Sequence, residues 1–186
     1  YNAYAHFIKH TPLLLWGTRI VLLASVVIHI VTATLLTLAN RAARPIAYTQ
    51  KSWRKASFAS RTMMYSGSVV LAFIIYHLAH FTWGLTNPDH FQLIDAAGRQ
   101  DVYSMFVLGF QKPLVALFYI IANVLLGLHL NHGASSIFQT LGLNHPKIQP
   151  FIDTVGPITS TLIVVGNLSM PIAVQLGWIT LPLGVA

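Results

Sequence analysis

Four stretches, roughly 12–40, 61–86, 109–133 and 155–181, are long, apolar and broken only by scattered Ser, Thr, Asn, Gly and His. About 20 residues of helix cross the hydrocarbon core of a bilayer. Each stretch therefore reads as a membrane span, and the chain as an all-α transmembrane helical bundle forming a single membrane domain over 1–186. Composition agrees, because only 8% of the residues are charged against roughly 25% in an ordinary soluble domain. Small residues at Gly67, Gly127 and Gly166 suit close packing of helices, or of a flat cofactor, against the backbone.

The links between spans carry opposite charge. The first, 40–61, holds Arg41, Arg44, Lys51, Arg54, Lys55 and Arg61 and no acidic residue. The second, 87–108, holds Asp89, Asp95 and Asp101 against one basic residue, Arg99. By the positive-inside rule the first link is expected in the cytoplasm and the second outside. Trp16, Trp83 and Trp178 then fall near the outer interface, where aromatic belts form. The net charge of +7 thus serves topology; no DNA-reading motif accompanies it, and no nucleic-acid partner is expected. A docking surface for a cytoplasmic partner is compatible with the same basic link.

Cysteine is absent, which removes disulfides, thiolate metal sites, iron–sulfur ligation and covalent c-type haem attachment. Glutamate is absent too, and the four aspartates fall in polar segments or at their edges. Carboxylate-rich metal cages and paired-carboxylate catalysis are therefore not expected inside the membrane. A metal here has to be held by His, Asp, Met or Tyr.

Of nine histidines, His6, His10, His90 and His145 lie in loops or at span edges, whereas His29, His77, His80, His129 and His132 lie within spans or at their ends. An unpaired polar group in hydrocarbon costs several kcal/mol, which makes the second set functional candidates. Depth sorts them. His29 sits about 15 Å from the cytoplasmic end of span one, and His129 lies near the cytoplasmic end of span three. His77 sits roughly 24 Å beyond Arg61 towards the outer side. His29 and His129 share a depth, and His77 does not.

Two neutral imidazoles from facing helices, with no carboxylate or thiolate nearby, suit bis-His ligation of a b-type haem; zinc wants a third or fourth donor. Haem propionates need cationic or hydroxyl partners near the interface, and Ser60 and Arg61 stand at the start of span two. Arg19 is placed either to serve a second haem on the outer side or to snorkel to the interface. Of His77 and His80, His77 is the better iron ligand, leaving His80 as a propionate partner or an outward-facing polar residue. In "LLGLHLNHG", His129 is embedded in leucine, whereas His132 is flanked by Asn131 and Gly133 and reads as supporting or structural. Gly127 is expected to leave room for the ring.

The segment "ALFYIIANVLLGLHLNHGASSIFQTLGLNHP" resembles the fourth helix of the five-helix, di-haem cytochrome b subunit of succinate dehydrogenase and fumarate reductase. "YNAYAHFIKHTPLLLWGTRIVLLASVVIHIVTATLL…NRAARP" is similar to that family's first external loop and second helix, and "SRTMMYSGSVVLAFIIYHLAHF" to its third. The resemblance covers essentially the whole chain but begins after the family's first helix. It implies two haems b, with His29 and His129 ligating the one nearer the cytoplasmic iron–sulfur subunit. His77 would ligate the outer one; its partner is expected on a first helix upstream of Tyr1, the alternatives being a first helix supplied by another chain or the absence of the outer haem.

The function implied is that of a multi-pass anchor in a bacterial inner membrane, bound to iron–sulfur and flavoprotein subunits and passing electrons to menaquinone or ubiquinone. The chain itself would not perform the succinate chemistry, and a higher oligomer is compatible with it. Tyr1, His6, Lys9 and His10 are candidates for an outer quinone site, while Ser60, Arg61 and the end of span three are candidates for an inner one. Two other readings remain open: a cytochrome b anchor of a hydrogenase or formate dehydrogenase, and a haem-free helical transporter or proton path.

Overall fold

A computed structural model describes residues 1–43, 46, 57–143 and 145–181. The basic positions Arg44, Lys51, Arg54 and Lys55 lie outside the described residues. The chain divides into two compact units, Tyr1–Arg54 and Lys55–Ala186.

The first unit contains α1 (Asn2–Lys9) and α2 (Pro12–Ala42). Pro12 opens α2, where a missing N–H costs nothing. Four hydroxyls of this apolar helix are satisfied within it: Thr18, Ser25, Thr32 and Thr37 donate to the carbonyls of Leu14, Val21, Ile28 and Ala33. That back-bonding lets polar residues sit in a long apolar run. No residue of α2 is buried.

The second unit contains α3 (Phe58–Arg61), α4 (Met63–His77), α5 (Pro88–Phe91), α6 (Val102–Gln111), α7 (Pro113–Thr140) and α8 (Gln149–Gln175). A π-helical turn, Leu78–Thr82, prolongs α4. Helix α7 is the centre: α8, α4, α6 and α3 all pack against it. Among the described residues the only extended pairing is an isolated bridge between Ile94 and Gln100, beside which Arg99 and Asp95 form an ion pair of 2.8 Å.

Among the described residues, four helices are long and apolar enough to cross a membrane: Pro12–Ala42, Met63–Thr82, Pro113–Thr140 and Gln149–Gln175. The fold is all-α with four spans, as the sequence predicts, but the span boundaries move. The third span starts at Pro113 rather than 109, because the extended Lys112 (ψ 111°) separates it from α6. It runs on to Thr140, and Gly142, at φ 76°, closes it. The fourth begins at Gln149, with a proline in its first turn, and ends at Gln175 before Gly177 at φ 72°. The second ends at Thr82, ahead of Gly84 at φ 66°. Helix α6 is a separate short element capped by Asp101, whose carboxylate accepts from the Ser104 N–H at 3.0 Å and hydroxyl at 2.7 Å.

Two polar contacts fix α8 on α7. Asn167 Nδ2 donates to Asn123 Oδ1 at 2.9 Å, and Asn123 Nδ2 donates to the Tyr119 carbonyl at 2.8 Å. Ser135 Oγ accepts from the Gly156 N–H and donates to the Ile152 carbonyl, both at 3.0 Å. These two groups belong to one rung of the α8 ladder, so the serine hydroxyl bridges that rung just before Pro157. Gly156 is required there, since a Cβ would overlap the Asn131 carbonyl.

Candidate functional site: two imidazole levels on one helix pair

At the first level His129 of α7 meets the start of α4. Its Nδ1 lies 3.1 Å from Ser66 Oγ, and Ser66 Oγ also lies 3.1 Å from the Met63 carbonyl. A carbonyl can only accept, so the single hydroxyl proton goes to Met63 and Ser66 Oγ accepts from His129 Nδ1–H. The resulting tautomer has its lone pair on Nε2. Gly67 makes the approach possible: a Cβ there would stand 3.3 Å from His129 Cε1.

His132, one turn on, is held by its own helix. Ser136 Oγ donates to the His132 carbonyl at 2.8 Å and sits 3.2 Å from His132 Nε2, in keeping with a structural role. Gly127 does not leave room for a ring as expected. It is buried against α8, where a Cβ would overlap Val164 Cγ2, so its small size serves helix packing. A side chain at Gly166 would meet open space.

At the second level Tyr119 of α7 lies between two imidazoles carried by α4 and its π-helical extension. Its hydroxyl is 3.1 Å from His80 Nδ1 and 3.5 Å from His77 Nδ1. Phe73, Phe81 and Phe110 surround the phenol ring at centroid distances of 5.2, 5.9 and 4.9 Å. His77 is exposed, whereas His80 is only 1% exposed. The expectation that His80 faces outward is overturned. The π-helical turn Leu78–Thr82 holds one residue more than an α-turn and so rotates its side chains off the α-helical register, and His80 enters the α6–α7 side. Eleven residues of α4 separate Ser66 from His77 and ten of α7 separate Tyr119 from His129, about 15 Å of helix in each case. The two levels are thus distinct within the second unit.

The other candidates occupy the first unit and the start of the second. His29 lies on α2 with its ring exposed, and its carbonyl accepts from Thr32 Oγ1 at 3.1 Å. Arg19 places its guanidinium 5.3 Å from the Trp16 ring centroid, a cation–π distance. Ser60 and Arg61 form the end of α3, where Ser57 Oγ caps the Ser60 N–H at 3.1 Å. Tyr1 precedes α1, and its carbonyl accepts from the Ala5 N–H at 3.1 Å. His6 and His10 stack on α1 at 3.8 Å, with His10 Nδ1 donating to the His6 carbonyl at 2.9 Å. Lys9, beside them, has its pKa lowered by burial and then by the Arg19 charge.

Among the described residues no group of three or more His, Cys, Asp or Glu side chains is arranged to hold a metal. What the second unit offers is His129 at one depth, carrying its lone pair on Nε2, and His77 and His80 on either side of Tyr119 at another. At either depth these are fewer than the three or four protein donors that zinc takes. Sequence reasoning missed Ser66 and Gly109, which bear on His129 and His80; neither residue type signals its contact without the register of the helices. No family model matches the chain, and neither a curated protein nor a solved structure does.

Proposed function

We propose that the chain is the haem b-binding membrane anchor of a succinate:quinone oxidoreductase, a respiratory complex II, in a bacterial cytoplasmic membrane. The observation that carries the reading is the His129–Ser66 contact of 3.1 Å, which commits His129 Nδ1 and leaves the lone pair on Nε2. An axial imidazole is held in this way, its other nitrogen donating to a fixed acceptor. Haem b, when bound, supplies a one-electron carrier.

His29 is proposed as a second haem ligand from its depth in the sequence and from the resemblance to the di-haem cytochrome b family. Ser60 and Arg61 would bind the propionates at that end. His77, about 15 Å further along the pair α4–α7, would hold a second haem. Arg19 would serve that haem or anchor the interface. Phenylalanines pack around Tyr119 at the second level.

The basic link 40–61 would face the cytoplasm, where an iron–sulfur subunit docks and a flavoprotein oxidises succinate; the link 87–108 would face outward. The electron acceptor is menaquinone or ubiquinone. Tyr1, His6, Lys9 and His10 offer protons to its carbonyls on the outer side, and the lowered pKa of Lys9 makes that proton easier to give.

The test is a reduced-minus-oxidised visible spectrum of the purified complex and of its His129→Leu variant. The wild type is expected to show a b-type alpha band, and His129→Leu to lose one of two haems while the His77-linked one persists. A complex without that band sinks the cytochrome reading. Equal loss of both haems in the variant sinks the pairing.

A further inference from the structure

His80 is the most buried histidine of the second unit, and nothing in the role of His77 or His129 uses it. Its Nδ1 faces the Tyr119 hydroxyl at 3.1 Å, and its Nε2 is buried with no hydrogen-bond partner. The ring has little room to turn. Phe81 stacks on it at 4.0 Å, and a Cβ at Gly109 would stand 3.1 Å from both Cε1 and Nε2. Tyr119 is 4% exposed, so its hydroxyl also depends on protein partners.

The phenol has one proton and two imidazole nitrogens beside it, which leaves two consistent arrangements of neutral groups. In one, Tyr119 donates to His80 Nδ1 and accepts from His77 Nδ1–H, so the His77 lone pair is on Nε2. In the other, His80 Nδ1–H donates to Tyr119, Tyr119 donates to His77 Nδ1, and Nε2 of His77 carries a proton. Only the first leaves His77 able to bind a metal through Nε2.

We propose that His80 is a positioning residue for His77: acting through Tyr119, it accepts the phenolic proton and so keeps the lone pair on His77 Nε2. This rests on His77 being an axial ligand, as proposed above. The proton of His80 then sits on Nε2 against Gly109, and one unsatisfied donor is tolerated there in exchange for a fixed relay. The close passage of Gly109 holds the acceptor in place.

The experiment uses the complex containing this chain, with His80→Phe, His80→Gln and Tyr119→Phe. Haem retention and the redox titration of each haem are read separately. Phe keeps the volume and the stack on Phe81 but cannot accept a hydrogen bond; Gln can. His80→Phe and Tyr119→Phe should weaken retention of the outer haem about tenfold and displace its titration, with the His129-linked haem unchanged. His80→Gln should restore most of the loss. A purely structural His80 gives the opposite order, with Phe neutral and Gln damaging, and that result overturns the proposal. So does a wild-type complex lacking the outer haem, which also removes the assignment of His77.

A second measurement needs no haem. In the chain labelled with 15N-histidine, the His80 resonances should report a proton on Nε2 and none on Nδ1, and Tyr119→Phe should disturb them. A proton on His80 Nδ1 overturns the proposal while leaving the anchor function standing.

Discussion

The Ser66 hydroxyl and the His129 imidazole meet across α4 and α7 at 3.1 Å, and the same hydroxyl spends its proton on the Met63 carbonyl one turn back. The geometry makes Ser66 an acceptor for His129 Nδ1–H. Ser66→Ala removes that acceptor without adding volume. If His129 is an axial ligand, the variant should retain the inner haem about tenfold less tightly, with the His77-linked haem unaffected. Ser66→Thr, which keeps the hydroxyl, should stay near the wild type. Equal retention in Ser66→Ala would remove Ser66 from the site.

Gly67 tests the same contact sterically. A Cβ at this position would stand 3.3 Å from His129 Cε1, so alanine requires the ring to give by a few tenths of an ångström. Gly67→Ala should be folded, with a perturbed inner haem. Gly67→Leu should displace His129 and abolish the inner haem alone. Visible spectra of the two variants distinguish the cases; an unperturbed inner band in Gly67→Leu would show that His129 is not where the haem binds.

The legible part of the structure is the part that composition dictates. Four apolar runs had to become helices, because an apolar segment in a bilayer can satisfy its backbone only internally. Their ends were harder to read. Val102–Gln111 is as apolar as the span it precedes, and only the extended Lys112 ahead of Pro113 parts them. The depth of His129 relative to His77 came from counting residues at a fixed rise, and the register of α4 on α7 agrees with it. The facing of His80 was hidden, because a π-helical turn leaves no period in so short a segment. Gly127 suited either helix packing or a ligand ring, and it takes Val164 of α8; a glycine in a span announces a close approach but not what approaches.

The Ser135 bridge beside Gly156 predicts a stability effect independent of any cofactor. Gly156→Ala places a methyl into the Asn131 carbonyl, and backbone cannot move aside cheaply. The cost should be about 1–3 kcal/mol, the usual range for overpacking. Ser135→Ala removes both bridging bonds and should cost about 1–3 kcal/mol by leaving the Gly156 and Ile152 groups less well satisfied. Thermal unfolding in detergent reads both. If the double variant loses much less than the two singles combined, the residues act as one unit; strict additivity would mean that the serine and the glycine serve separate contacts.

His90, in the α5 segment outside the spans, sets a pH dependence whose sign is fixed. Its Nδ1 is buried without a partner, and its pKa lies below 6.5 because of burial and then the Lys112 charge, with Asp89 opposing. Between the folded value and 6.5, the unfolded chain binds more protons than the folded one, so stability rises with pH in that window. The contribution is complete above the unfolded value and is lost as pH falls through the folded one. The melting temperature of the detergent-solubilised protein should therefore drop on acidification below about 6.5. His90→Gln should flatten that slope, and Asp89→Asn, which removes the opposing charge, should steepen it. A slope unchanged by His90→Gln would place the acid sensitivity on another group.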